Sequence, residues 1–297
     1  MYKELAIIAP TASGKTALSI DLAHKLDAII LSLDSLAVYK KINIASAKPS
    51  LKERDGIIHF GIDCIYPNET FDVIEFYDEY KKAKQYAQEN NKNLIIVGGT
   101  GFYLKALIDG LSKIPKISST TKEVVQNELQ DLNRIYQKLM SVDAEYMKKI
   151  ASNDKYRIEK ASEIYFETKL TPTEYFLENK PKPLVYDLPI FEIQTEPDIL
   201  RERIKKRTNI MLSDGLIDEV IALEKEYTRA PNCMNSIGIS ETFDYLDSKI
   251  TRNELAELVS IHTAQLAKRQ RTFNKSQFKN VVKAGLKDMK EIILSHN

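Results

Sequence analysis

The sequence predicts an α/β protein: a P-loop-type parallel sheet with helices on both faces, plus a helical insertion domain. Three observations predict it. Short apolar runs at residues 4–8, 28–33 and 94–97 have the length of strands buried on both faces. Between them lie stretches with helical apolar spacing: 16–26, through Leu18, Leu22 and Leu26, and 71–90. The loop Ala9-Pro10-Thr11-Ala12-Ser13-Gly14-Lys15-Thr16 joins the first strand to the first helix. Strands alternating with helices give a sheet covered on both sides.

From about residue 120 to 179 the chain is rich in Lys, Glu and Tyr and has helical periodicity through Leu129, Leu132, Tyr136 and Leu139. This is the expected insertion, residues 120–184, closed by Pro181 and Pro183; residues 1–119 and 185–297 form the catalytic core. After it, 188–193 reads as a strand rejoining the sheet. One helix is expected across roughly 198–227, another across 252–275, and a last strand at 279–283. No internal repeat is apparent.

The 297 residues carry 43 Lys and Arg against 42 Asp and Glu, so any nucleic-acid partner must be met by a local patch rather than by the whole molecular field. Such a patch exists late in the chain: residues 251–297 hold nine Lys and Arg against four acids. Two unclustered cysteines suggest neither a disulfide framework nor a zinc site. There is no secretory pattern at the start and no apolar run of about 20 residues. A cytoplasmic protein without a membrane partner is expected.

The pattern G-x-x-x-x-G-K-[ST] binds phosphate because successive backbone N–H groups point at its oxygens, the lysine adds a point charge and the last hydroxyl holds Mg²⁺. Here Ala9 replaces the first glycine, which requires a negative φ at that turn. Thr16 is the expected metal contact and Mg²⁺ the expected cofactor. Taken alone, the loop is a generic cradle of the kind that binds ATP.

The strand at 94–97 ends in Gly98-Gly-Thr-Gly101 rather than in a metal-binding acid, and no Asn-Lys-x-Asp is present. What remains near the loop is Asp34, at the end of the strand at 28–33. It could ligate a metal, act as a base or cap a turn. A carboxylate with a pKa near 3.9 suits an amine nucleophile, whose N–H becomes acidic as its new bond forms. The residues themselves leave open a small-molecule kinase, a transferase acting on free adenine nucleotides, and a non-catalytic RNA-binding module.

The blocks Ala9–Thr16, Asp34-Ser-Leu-Ala-Val-Tyr39, Ala45-Ser-Ala-Lys-Pro49, His59, Gly98-Gly-Thr-Gly-Phe-Tyr103, Arg203-x-x-x-Arg207, Met211-Leu-x-x-Gly215-Leu and Gln265-x-x-Lys-Arg-Gln270 occur in order over most of the chain. In these the sequence resembles the tRNA dimethylallyltransferases, or tRNA isopentenyltransferases. The resemblance implies transfer of a dimethylallyl group from its diphosphate to the exocyclic amine of the adenosine 3′ of the anticodon. It assigns residues Ala9 to Thr16 to the donor diphosphate and Asp34 to the base. Lys15, Thr16, Thr100, Arg203 and Arg207 would gather at the leaving group. Arg203 and Arg207, four apart, share a helical face.

The same resemblance assigns tRNA contacts to Asp34, Ser35, Leu36, Ala37 and Thr100 at the adenosine, to Lys122, Tyr156, Arg157 and Lys160 in the insertion, and to Lys268, Arg269 and Gln270 in the late helix. The partners implied are a tRNA anticodon stem-loop and dimethylallyl diphosphate, with the protein a monomer. Three departures stand out: Gly238-Ile239-Ser240-Glu241 where the family has Gly-Tyr-Lys-Glu, Thr168-Lys169 for Thr-Gly, and Thr272-Phe273 for Thr-Trp.

Overall fold

The computed structural model describes residues 3–296 and divides into two compact units, one running up to Ile108 and from Val185 onward, the other Asp109–Leu184. The second unit starts eleven residues before the expected insertion, because the segment preceding its first helix already packs with it.

In chain order the first unit begins with β1 (Glu4–Ile8), α1 (Lys15–Lys25), β2 (Ala28–Leu33), β3 (His59–Phe60), α2 (Val73–Glu89), β4 (Asn93–Gly98) and α3 (Gly101–Asp109). The second unit holds α4 (Ser119–Glu128), α5 (Leu132–Val142), α6 (Ala144–Met147), α7 (Lys155–Thr168) and α8 (Pro172–Glu178). The first unit resumes with β5 (Ile190–Gln194), α9 (Pro197–Ser213), α10 (Leu216–Tyr227), α11 (Ile239–Leu246), α12 (Arg252–Gln277), β6 (Val281–Gly285) and α13 (Leu286–His296).

The six strands form one parallel sheet in the order β3-β2-β4-β1-β5-β6. Strand side chains alternate faces. Leu5, Ile7, Ile30, Ile95, Val97, Phe191 and Ile193 pack with Leu18 and Leu22 of α1 and Met289 and Ile293 of α13. The other face carries α2, whose buried Phe76, Tyr80, Ala83 and Ala87 lie at helical spacing against β2 and β4. Asp72 and Glu75 close the start of α2 as a capping box. The expected P-loop-type sheet covered on both faces is therefore the fold.

The expected helix across 198–227 is two helices. Gly215, with φ of 100°, ends α9 and starts α10 in a conformation that a side chain would strain. The turn aims Leu216, Val220 and Leu223 into a satellite core with Val38, Tyr39, Ile42, Cys233, Ile239 and Phe243, beneath residues 36–48. The sequence reading also passes over β3, α11 and α13, and the last strand runs two residues later than expected, at Val281–Gly285. β3 is only two residues long and β6 is an edge strand without a buried residue, so neither leaves an apolar run to read.

The second unit is a small helical cluster around Val125, Leu129, Ile135, Leu139, Met147, Ile150, Ile158 and Ala161. Asp131, Asp154 and Thr171 cap α5, α7 and α8 by accepting backbone N–H bonds. Buried Asp143 caps α6 and accepts both the N–H and the hydroxyl of Thr173 at 2.7 Å, tying α6 to α8.

Candidate active site

Register places the site. Gly98 pairs with both Ile8 and Leu33, so the carboxyl ends of β1, β4 and β2 lie side by side. The residues that follow them, Ala9, Gly99 and Asp34, are neighbours at the edge where parallel α/β sheets bind ligands. Ala9 N–H donates to the Gly98 carbonyl at 3.3 Å, and the Gly99 and Thr100 N–H groups donate to the Leu33 carbonyl at 3.2 and 3.0 Å.

Left-handed residues in the loop are Ala12 (φ 62°) and Gly14 (φ 92°); Ala9 keeps a negative φ, as its side chain requires. A Cβ at Gly14 would also lie 2.7 Å from a Leu286 methyl, which would have to move. Lys15 opens α1, whose N-terminal N–H groups favour an anion. Its Nζ donates to the Pro10 carbonyl at 3.3 Å. Burial, then the charge of Arg207, push its pKa down from 10.5 to about 8, with Asp34 pulling the other way. An ammonium held in this way gains most from a bound anion. Ser13 Oγ is buried without a hydrogen-bond partner among the described residues.

Three side chains hold the loop from far along the chain. Arg203 Nη1 donates to the Ser13 carbonyl at 3.1 Å and Arg207 Nη1 to Thr11 Oγ1 at 3.2 Å, while Thr11 N–H donates to Gln270 Oε1 at 2.9 Å. Arg207 is half-buried, and burial lowers its pKa. The two arginines sit where the sequence expects them, beside the loop.

Asp34 is fixed locally. Its Oδ1 accepts the N–H groups of Leu36 at 2.9 Å and Ala37 at 3.1 Å, an Asx-type turn. Its Oδ2 has no protein partner among the described residues. A cavity of about 290 Å³ brings Asp34, Ser35, Leu36, Thr100, Lys15, Thr11, Arg207 and Gln270 together. On the loop's other side, a shallower opening is lined by Ala12, Gly14, Lys15, Thr16, Arg203 and Arg207. Lys15 and Arg207 are common to both. Ala37 and Thr16 face a third, small cavity beside Asp34, where His59 donates through Nδ1 to the Ile57 carbonyl and burial lowers its pKa, keeping it neutral.

The cavity wall also includes Val259, Thr263 and Leu266 of α12, together with Met211 and residues 235–237. The sequence reading assigns none of these α12 residues, although 259, 263, 266 and 270 follow helical spacing and mark one face.

Among the described residues no three His, Cys, Asp or Glu side chains gather as a metal cage. Mg²⁺ takes phosphate oxygens and water with only one or two protein ligands. The Thr16 hydroxyl, in one cavity with Asp34 and in another with Lys15, fits that requirement.

The residues expected at RNA fall into three sets. Lys268 and Arg269 are exposed on α12, whereas Gln270, next in sequence, turns inward onto the loop. Within the second unit, Lys122 on α4 and Tyr156, Arg157 and Lys160 on α7 are exposed, and these two helices pack on each other. Arg157 pairs with Asp154 and Lys160 with Glu163.

Residues 37–277 match the IPP transferase family. The chain belongs to this family. It is 55% identical over 293 residues to the tRNA dimethylallyltransferase of Sulfurovum sp. (strain NBC37-1), covering 98% of this chain and 97% of that one. It is 61% identical over 279 residues to that of Aliarcobacter butzleri (strain RM4018), covering 94% and 93%. Among solved structures, the full-length tRNA isopentenylpyrophosphate transferase of Bacillus halodurans superposes with a TM-score of 0.73 at 30% identity, over 100% of this chain and 95% of that one. A eukaryotic dimethylallyltransferase acting on tRNA superposes with a TM-score of 0.84 at 27% identity, over 99% and 77%.

Three departures from the usual IPP transferase pattern now have a physical setting. Ile239 is fully buried in the satellite core, so an apolar residue there serves packing. Lys169 ends α7 with φ of 63°, the left-handed position that the usual glycine takes without strain. Phe273 packs against Gly101 rather than standing free.

Proposed function

We propose that this chain transfers a dimethylallyl group from dimethylallyl diphosphate to the exocyclic N6 amine of the adenosine 3′ of the anticodon in tRNA, releasing diphosphate. The observation that carries it is the single cavity in which the unpartnered Asp34 Oδ2 faces the same space as Lys15, Arg207 and Thr100. A base for an amine and cations for a leaving diphosphate are both in place.

In this reading the donor's diphosphate lies on residues 9–16, with its allylic carbon turned toward Asp34. The adenosine leaves its stack to enter the cavity, as base-modifying enzymes require. The bond between C1 of the donor and the diphosphate oxygen breaks as N6 bonds to C1, and one N6 proton passes to Asp34. Charge gathers on the departing oxygens, and Lys15, Arg207 and Arg203 meet it with fixed positive charge. Thr16 is the residue that would hold Mg²⁺, which would supply further positive charge for a leaving diphosphate. Thr100, aimed into the cavity from residues 98–101, orients the adenosine.

The exposed Lys268 and Arg269 would meet RNA phosphates, as would Lys122, Tyr156, Arg157 and Lys160 of the second unit. No helix among the described residues is long and apolar enough to cross a membrane. We place the protein in the cytoplasm, acting as a monomer, because one bound tRNA already occupies much of its surface.

Purified protein with Mg²⁺, dimethylallyl diphosphate and an anticodon stem-loop should alkylate one adenosine, read by mass spectrometry. Product with adenosine monophosphate and none with the stem-loop would assign free nucleotides instead. Phosphorylation by ATP without any prenyl donor would assign a kinase.

A further inference from the structure

Gln270 stands in the sequence between exposed cations, yet its side chain reaches the phosphate loop 259 residues away. Its Oε1 accepts the Thr11 N–H at 2.9 Å. The other end of the amide rests on the turn at residues 98–101, where a Cβ on Gly99 would lie 2.4 Å from Nε2. Thr11, held by Gln270 through its N–H, is held by Arg207 through its hydroxyl, and Arg207 with Lys15 lines both cavities at the loop. One amide thus spans the donor loop and the turn that carries Thr100.

We propose that Gln270 is a positioning residue for the prenyl diphosphate rather than a contact to RNA: by anchoring Thr11 against residues 98–101, it holds Arg207 and the loop where the diphosphate binds. This rests on the function proposed above. Three consequences distinguish it from general stabilisation of the fold. Donor binding is affected more than RNA binding, because the exposed cations beside Gln270 are untouched. The effect is on affinity, because the loop's N–H groups and Arg207 must be ordered before they can bind, and ordering flexible groups on binding weakens it. It also depends on Gly99. That residue has an ordinary backbone conformation, so the only obstacle to alanine there is the Gln270 amide itself, the movable end of a flexible side chain.

Gly99→Ala therefore displaces the amide without altering Gln270, and in a Gln270→Ala background the added methyl has room. Both single variants and the double variant are to be assayed for donor KM and kcat, for inorganic pyrophosphate affinity by calorimetry, for stem-loop affinity and for Tm. Each single substitution should raise the donor KM and the pyrophosphate Kd about tenfold, with kcat and stem-loop Kd within about twofold. The double variant should be no worse than either single one, about tenfold rather than a hundredfold, because both remove the same anchor. Multiplying effects would overturn the proposal, as would a loss confined to kcat and Tm, or weakened stem-loop binding with pyrophosphate affinity unchanged. A wild-type protein that binds neither pyrophosphate nor the stem-loop would instead remove the proposed function, and this inference with it.

Discussion

The two halves of the site are built in opposite ways. The turn after Asp34 holds itself, with one carboxylate oxygen on the N–H groups two and three residues on. The phosphate loop is held from outside, by Arg203, Arg207 and Gln270, all more than 180 residues away. The difference teaches where each half is sensitive. A local turn keeps its geometry if its own acceptor is kept; a loop braced over long range loses its geometry when any brace is removed.

The largest test separates charge from geometry at Asp34. Asp34→Asn keeps an oxygen acceptor for the Leu36 and Ala37 N–H groups but removes the proposed base. Turnover should fall by about a thousandfold, while Tm, pyrophosphate affinity and stem-loop affinity stay near wild type. Asp34→Ala should lose as much activity and also lower Tm. An Asn variant with near-normal turnover would show that Oδ2 is no base.

Next is Arg207→Ala. It removes both a brace on Thr11 and a half-buried charge at the proposed leaving-group site, so kcat/KM for the donor should drop about a hundredfold, with stem-loop affinity unchanged. Steady-state kinetics at varied donor checks this. Equal losses from Arg203→Ala, whose bond is to a loop carbonyl, would indicate that bracing rather than charge is the main role of both.

A smaller effect comes from Lys15. In the empty site its pKa is about 8, and a bound diphosphate raises it. Below pH 8 the ammonium is already formed and binding is strongest. Above pH 8 binding must take up a proton, so pyrophosphate affinity falls by up to about tenfold per pH unit until the bound-state pKa is passed. Calorimetry in buffers of different ionisation enthalpy reads the proton uptake directly. Affinity flat from pH 7 to 9.5 would contradict the buried, perturbed lysine.

The smallest effect is purely local and lies in the second unit. Lys169→Gly relieves a left-handed side-chain residue at the end of α7 and should stabilise the protein by about 1 kcal/mol, without change in kcat or donor KM. A lowered Tm would mean that the Lys169 bond to the Phe166 carbonyl outweighs the backbone strain.

This division also explains what was legible in the sequence. The strands β1, β2 and β4, the loop and Asp34 are each signalled by residues within a few positions, through periodicity or turn chemistry, and they were read close to their true bounds. The break at Gly215 was not, although a glycine with φ of 100° is the residue type that ends a helix. The resemblance assigned Gln270 to RNA together with Lys268 and Arg269, which face solvent. Its bond to Thr11, 259 residues away, can be known only from the fold. The cavity residues Val259, Thr263 and Leu266 were hidden likewise, as an apolar helix face looks the same whether it meets a core or a substrate.

The long-range bracing of the loop gives this architecture a direction in time. Chains are made from the N-terminus, and the phosphate motif emerges from the ribosome among the first residues. Yet it is braced by two residues of α9 and by one of α12. A chain stalled before position 270 displays the full motif without the side chain that meets Thr11. The loop takes its described set of bonds only after α12 has been translated.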